Sequence, residues 1–123
     1  TGSELVKTTK FYDAVAAGDY DIDIHNPEGT GTSHHYFEAG MYYTIPLRSL
    51  IVKDADNLLA AGRCISCDHE AQASVRIMPI CCATGHAAGV AAAISVRDGL
   101  PVKKVDYKAV QNELKKQGAF LGI

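Results

Sequence analysis

The segment between Pro79 and Gly99 constrains this chain more than any other. It is dominated by small residues, with Ala83, Ala87, Ala88, Ala91, Ala92 and Ala93 set around Gly85 and Gly89. Proline is favoured in the first turn of a helix, where its missing N–H costs nothing, and glycine just past the last turn, where a left-handed residue ends it. Arg97 in the last turn complements the negative end of the helix dipole. The pattern predicts one long helix over residues 80–97. Glycine is less favourable than alanine by about 1 kcal/mol inside a helix, so two of them need a reason. Gly85, Gly89 and Ala93 recur every four residues and share a face that another backbone could approach closely. A membrane would suit such a face, as would a sheet or a cofactor in a globular fold. The short run, its histidine and its proline start favour the globular reading, with no membrane span.

The beginning of this helix is the second constraint. Its first N–H groups lack intrahelical partners, and the dipole concentrates positive potential there. Arg76 stands just before it. Together they make an anion or oxyanion site. The alternative is an arginine that caps a carbonyl or pairs with an acid.

At 123 residues the chain has the length of one domain or a piece of a larger one. Its 47% apolar and 21% charged residues suit a globular protein. The net charge of -2 excludes a strongly basic nucleic-acid surface, and Lys103-Lys104 and Lys115-Lys116 are too sparse to make one. The first residue is not Met, so a fragment is expected, and Thr1 to Ser3 are set aside as a cloning scar would be. No targeting segment is visible at the start, and the compartment stays open.

Periodicity supplies the remaining elements. Residues 13–17 read as a short helix stopped by Gly18. Tyr20, Ile22 and Ile24 alternate with aspartates, which predicts a strand ended by a turn at residues 26–29. Residues 30–35 read as a polar loop in which His34 and His35 are solvated, and His25 only ends its strand. Met41, Tyr43 and Ile45 predict a second strand stopped by Pro46, paired antiparallel with the first. Leu58 to Ala61 is a short apolar run without alternation, as in a strand buried on both faces of a parallel sheet. Residues 63–76 form a polar connection, partly helical over 70–75. A last helix runs from Asp106, its N-cap, to Gln117, with Gly118 after it and Val110 and Leu114 facing inward. His86 reads as a core histidine.

Cys64, Cys67, Cys81 and Cys82 cluster in the middle of the chain, unlike the spread cysteines of a disulfide scaffold. Cys64 and Cys67 allow a thiol-redox pair. With His69 and the second pair they allow a zinc site, although adjacent Cys81 and Cys82 cannot easily reach one metal. Small buried thiols are the third reading, and no metal site is assigned.

Several motifs together resemble the C-terminal portion of bacterial FAD-dependent oxidoreductases related to fumarate reductase and succinate dehydrogenase-like flavoproteins. They are residues 43–50 (Tyr-Thr-Ile-Pro-Leu-Arg-Ser-Leu), 57–63 (Asn-Leu-Leu-Ala-Ala-Gly-Arg), Ser66, His69-Glu70-Ala71, 74–79 (Ser-Val-Arg-Ile-Met-Pro) and 85–89 (Gly-His-Ala-Ala-Gly). Residues 20–27 and the closing Gln117-Gly118-Ala119 are also similar to the family. The resemblance implies a mixed α/β (α+β) fragment: strands of a substrate domain, plus a strand and long helix that complete a Rossmann-like FAD-binding domain. It divides the chain into residues 1–56 of the substrate domain, 57–105 closing the FAD-binding domain, and 106–123 as C-terminal helix and tail.

It further implies FAD as cofactor, with Gly62 and Arg63 near its ribityl or pyrophosphate and the N–H groups around Ile77 and Met78 facing the flavin's pyrimidine carbonyl. His69 and Arg76 become the catalytic, substrate-side candidates for a small organic substrate, followed by Arg48 and Tyr43. The family's G-x-G-x-x-G fingerprint is missing; residues 29–34 come nearest and lack both the third glycine and a following helix. The nucleotide-gripping part is therefore expected in the remainder of a parent chain. Alone, this piece is expected to bind FAD weakly, to be inactive, and to self-associate through apolar surface. A stand-alone thiol or zinc module, or a non-catalytic interaction domain, are the competing readings.

Overall fold

The computed structural model describes residues 1–25 and 28–123, so the expected turn at Asn26 and Pro27 lies outside the described residues. In order, the elements are α1 (Gly2–Val6), β1 (Ala14–Gly18), β2 (Ile22–His25), β3 (Thr32–His35), β4 (Tyr43–Pro46), α2 (His69–Val75), α3 (Met78–Asp98) and α4 (Tyr107–Lys116). Single 3-10 turns occur at Leu47–Ser49, Gly62–Cys64 and Val102–Lys104. The architecture is mixed α+β, as expected. Its sheets are two antiparallel pairs, β1 with β4 and β2 with β3.

The pairing corrects four expectations. The alanine-rich segment expected as a short helix is β1. Its intrinsic helix preference is overridden by burial on both faces, with Ala14, Val15 and Ala16 at most 2% exposed. The strands at residues 20–24 and 41–45 are not partners. β4 takes β1, from Ala14 opposite Pro46 to Gly18 opposite Tyr43. β2 instead takes residues 32–35, expected as loop, with Asp23 opposite His34. All four residues of β3 are exposed, so it carries no apolar alternation by which a strand could be read. Nor are residues 58–61 a strand buried on both faces: Leu58 is 52% exposed, and the pairing there is a single bridge between Ile51 and Leu59.

α3 begins two residues before the predicted start and ends one after the predicted end, with Pro79 in its first turn and Gly99 left-handed at φ 63°. It packs on β1 and α4 and over the Gly62 turn. Within the described residues the glycines of α3 meet no close approach: apart from the helix's own neighbouring backbone, no atom of these residues comes within 4 Å of where a side chain would start at Gly85 or Gly89, and both are exposed. The buried side of α3 is instead Ile80, Thr84, Ala87, Val90, Ala91 and Ile94. The glycine that permits the crossing is Gly18 of β1, where a Cβ would stand 2.6 Å from Ile80 Cδ1 and 2.8 Å from Tyr43 Oη. The opposite side of α3 shows solvent a stripe of Met78, Cys82, Gly85, Gly89, Ala92 and Val96. By length and composition this helix could cross a membrane, with 33% of its most apolar window buried.

α4 closes the fold much as its spacing predicts. The Asp106 carboxylate caps it at Lys108 N, and Val110 and Leu114 are fully buried. Gln111 donates from Nε2 to the carbonyls of Tyr12 (2.9 Å) and Ala14 (3.0 Å), tying α4 to the start of β1. The first three residues also belong to the fold. The Gly2 N–H donates to both oxygens of Asp68 at 2.9 and 3.0 Å, and a Cβ on Gly2 would collide with Glu70.

Candidate cofactor and substrate site

The site is built around the joint between α2 and α3. Asp68 has extended backbone and accepts the Ala71 N–H at 2.8 Å, so α2 begins with His69. The Ala71 N–H, together with that of Gly2, holds the Asp68 carboxyl below its ordinary range. At the other end Arg76 caps α2 in the right-handed region, and Ile77 turns the backbone extended before Met78 starts α3. Two residues thus separate one helix end from the next beginning. The Arg76 side chain and the first N–H groups of α3 are fixed in one neighbourhood.

Among the described residues no side chain caps α3, and no acid sits in its first turn. Met78 there is 78% exposed. The positive end of a 21-residue helix therefore meets solvent uncompensated. Beside it runs the turn at Gly62, whose φ of 67° suits glycine. The Gly62 N–H donates to Thr84 Oγ1 at 2.9 Å, and that hydroxyl donates to the Cys81 carbonyl at 3.0 Å. Arg63 Nε donates to the Arg76 carbonyl at 3.4 Å. Gln72 ties the turn to α2 by donating to the Arg63 carbonyl at 3.4 Å. The fold thus gathers Gly62, Arg63, Arg76, Ile77 and Met78 at the start of α3.

His69 and Arg76 line one cavity of about 210 Å³, between α2 and β2, together with Asp23, His25 and Gln72. The guanidinium is held on two edges. Its Nε donates to the Ala73 carbonyl at 3.3 Å, and one Nη reaches both the carbonyl and the carboxylate of Asp23 at 3.5 Å. Of the two readings of Arg76 made from its spacing, these contacts are those of an arginine that bonds a carbonyl and pairs with an acid. It pairs with an acid and bonds a carbonyl, yet it remains 36% exposed beside the open helix end. Asp23 was hidden in the sequence as the polar side of an alternating strand, 53 positions from its partner. No local pattern marks such a contact.

Other candidates lie elsewhere. Tyr43 is fully buried, and its hydroxyl meets Ser74 Oγ at 2.7 Å. Burial pushes that phenol up to about 12, so it is a core group. Arg48 pairs with Asp13 and covers the Phe11 ring at 4.9 Å. His86 is exposed rather than core and bonds Gln117 at 2.7 Å. The four cysteines are free thiols. Burial, with Asp68 nearby, pushes the Cys67 thiol up, and its Sγ donates to Gln72 Oε1 at 3.0 Å, which opposes a reactive thiolate. Among the described residues no three His, Cys, Asp or Glu side chains stand together as a metal site.

An open helix start beside a left-handed glycine turn, with an arginine and a histidine across a cavity, is an arrangement suited to an anionic cofactor and a polar substrate. The family model for FAD dependent oxidoreductase matches residues 1–114, and the chain belongs to that family. No curated protein and no solved structure matches it.

Proposed function

We propose that this chain is the C-terminal part of a bacterial FAD-dependent oxidoreductase akin to the fumarate reductase and succinate dehydrogenase-like flavoproteins. In this reading residues 57–105 close the flavin side of a Rossmann-like domain whose fingerprint lies elsewhere in a longer chain. Residues 1–56 contribute to the substrate domain. The observation that carries the reading is the uncapped, acid-free start of α3 beside Gly62 and Arg63. That end suits FAD, because a group that becomes negative on reduction is stabilised by unpartnered N–H groups and a helix dipole. Gly62, Arg63, Ile77 and Met78 would hold it, and when bound FAD supplies the hydride-accepting centre.

The chain's own residues do the rest. Arg76 stands between the helix start and the cavity, where its positive charge orients a small polar substrate. His69, exposed at the head of α2, exchanges the proton that accompanies hydride removal. The apolar stripe on α3 is covered by the nucleotide-binding sheet of the parent. The piece alone lacks that support, so it retains little FAD and self-associates.

The test is Arg76→Ala in the full-length, FAD-loaded enzyme. The expected result is a fall in kcat/KM on the order of a hundredfold, with a smaller loss of bound flavin. Unchanged turnover and unchanged flavin content would overturn the assignment.

A further inference from the structure

We infer that Asp23 is the positioning residue for Arg76, and that the β2–β3 hairpin exists in part to present it. The inference rests on the reading of Arg76 as a substrate-side group. The geometry is that of a clamp. One Nη of the guanidinium is taken by two oxygens of the same residue, the carbonyl and Oδ2 of Asp23, while Nε is taken by the Ala73 carbonyl on α2. These two elements fix the plane of the fork, and the other Nη has no partner among the described residues. A guanidinium held on two edges in the wall of a cavity keeps its remaining donors available to a ligand there.

A structural role alone does not explain the carboxylate. Asp23 is only 15% exposed, and its Oδ1 is buried with no hydrogen-bond donor among the described residues. The groups facing it are Arg76 from the end of α2, His25 of its own strand with Nε2 at 4.0 Å from Oδ2, and His34 of β3 with Nε2 at 3.6 Å from Oδ1. Neither histidine distance is a hydrogen bond. A buried acceptor left unpaired costs stability, and a neutral residue of the same shape would avoid desolvating a charge. The carboxylate earns its place by fixing Arg76.

The experiment has two arms. In the isolated chain, labelled with ¹⁵N, solvent exchange of the Arg76 Nε–H is measured for the native protein and for Asp23→Asn. Asparagine keeps the shape and the main-chain bond but removes the charge. The expected result is exchange faster by about threefold or more, with the remaining amide spectrum preserved. Unchanged exchange overturns the inference. If Asp23→Asn does not fold, Asp23→Glu displaces the carboxylate by one methylene, and the same criterion applies.

In the FAD-loaded full-length enzyme, Asp23→Asn, Arg76→Ala and the double variant are compared. Asp23→Asn is expected to lower kcat/KM on the order of tenfold at unchanged flavin content, and the double variant to match Arg76→Ala alone. A loss for Arg76→Ala with none for Asp23→Asn overturns the positioning role while leaving the reading of Arg76 intact. No loss for either overturns both.

Discussion

Tyr43 shows how a single side chain can carry a family motif for structural reasons. Its hydroxyl and the Tyr20 carbonyl both depend on Ser74 Oγ, which meets the first at 2.7 Å and donates to the second. Ser74→Ala strands both groups, whereas Tyr43→Phe removes one group and its need together. The expected costs are about 2–3 kcal/mol for the serine change and about 1 kcal/mol for the phenylalanine change, read from urea unfolding. A pH dependence follows as well. The phenol stands near 12 when folded against an ordinary 10.0. The folded state therefore binds the proton more tightly. That contribution is complete below pH 10 and is lost as the pH rises toward 12. The stability gap between native protein and Tyr43→Phe should accordingly shift toward the variant between pH 10 and 12. A constant gap would place the phenol's titration at its ordinary value.

At the scale of elements, α2 is set by one residue. Asp68 caps it through Ala71 and also receives the Gly2 N–H, so it joins α1 to α2. Asp68→Ala should destabilise the chain by about 1–2 kcal/mol, and Asp68→Asn by less, since asparagine still caps. The carboxyl is held low when folded, so its contribution is present above the ordinary carboxylate range and lost as the pH falls through it. Thermal melts at pH 7 and pH 3 check both statements: the two variants should differ from native less at the lower pH.

The helices were the readable elements. Pro79, Gly99, Asp106 and Gly118 are local signals, and local signals set the ends of α3 and α4. The strands were readable in part: β2 and β4 lie where alternation put them, but their pairing and the other two strands were not legible. β1 is made largely of alanine, which prefers helix, and becomes a strand because α3 and β4 bury it, while β3 is a polar strand paired with β2. For the candidate site, residues 62, 63, 69 and 76–78 were marked by the motifs that carry the family resemblance. Asp23 and Gln72 come from tertiary packing, which no local spacing encodes.

The whole molecule is one-sided. α3 has one side in the core and a continuous small-residue stripe in solvent. Gly85 and Gly89 have open space around them and ordinary helical backbone. Replacing either by alanine should stabilise the isolated chain by about 0.5–1 kcal/mol. If the nucleotide-binding sheet covers this stripe in the parent, the same changes should reduce the flavin retained by the full-length enzyme. Opposite signs in the two settings, read from unfolding of one and flavin content of the other, support that cover. Stabilisation in both would argue that the stripe faces solvent throughout.

Gln111 has a consequence for how the chain is made. Its side-chain amide secures carbonyls that lie 99 and 97 positions earlier. During synthesis β1, β4 and α3 all precede residue 111, so a nascent chain passes through a stage in which the Tyr12 and Ala14 carbonyls lack their donor from α4. Contacts this distant in sequence form late. A chain stalled on the ribosome short of α4 should therefore be cut by protease within residues 12–18, and release past α4 should protect them.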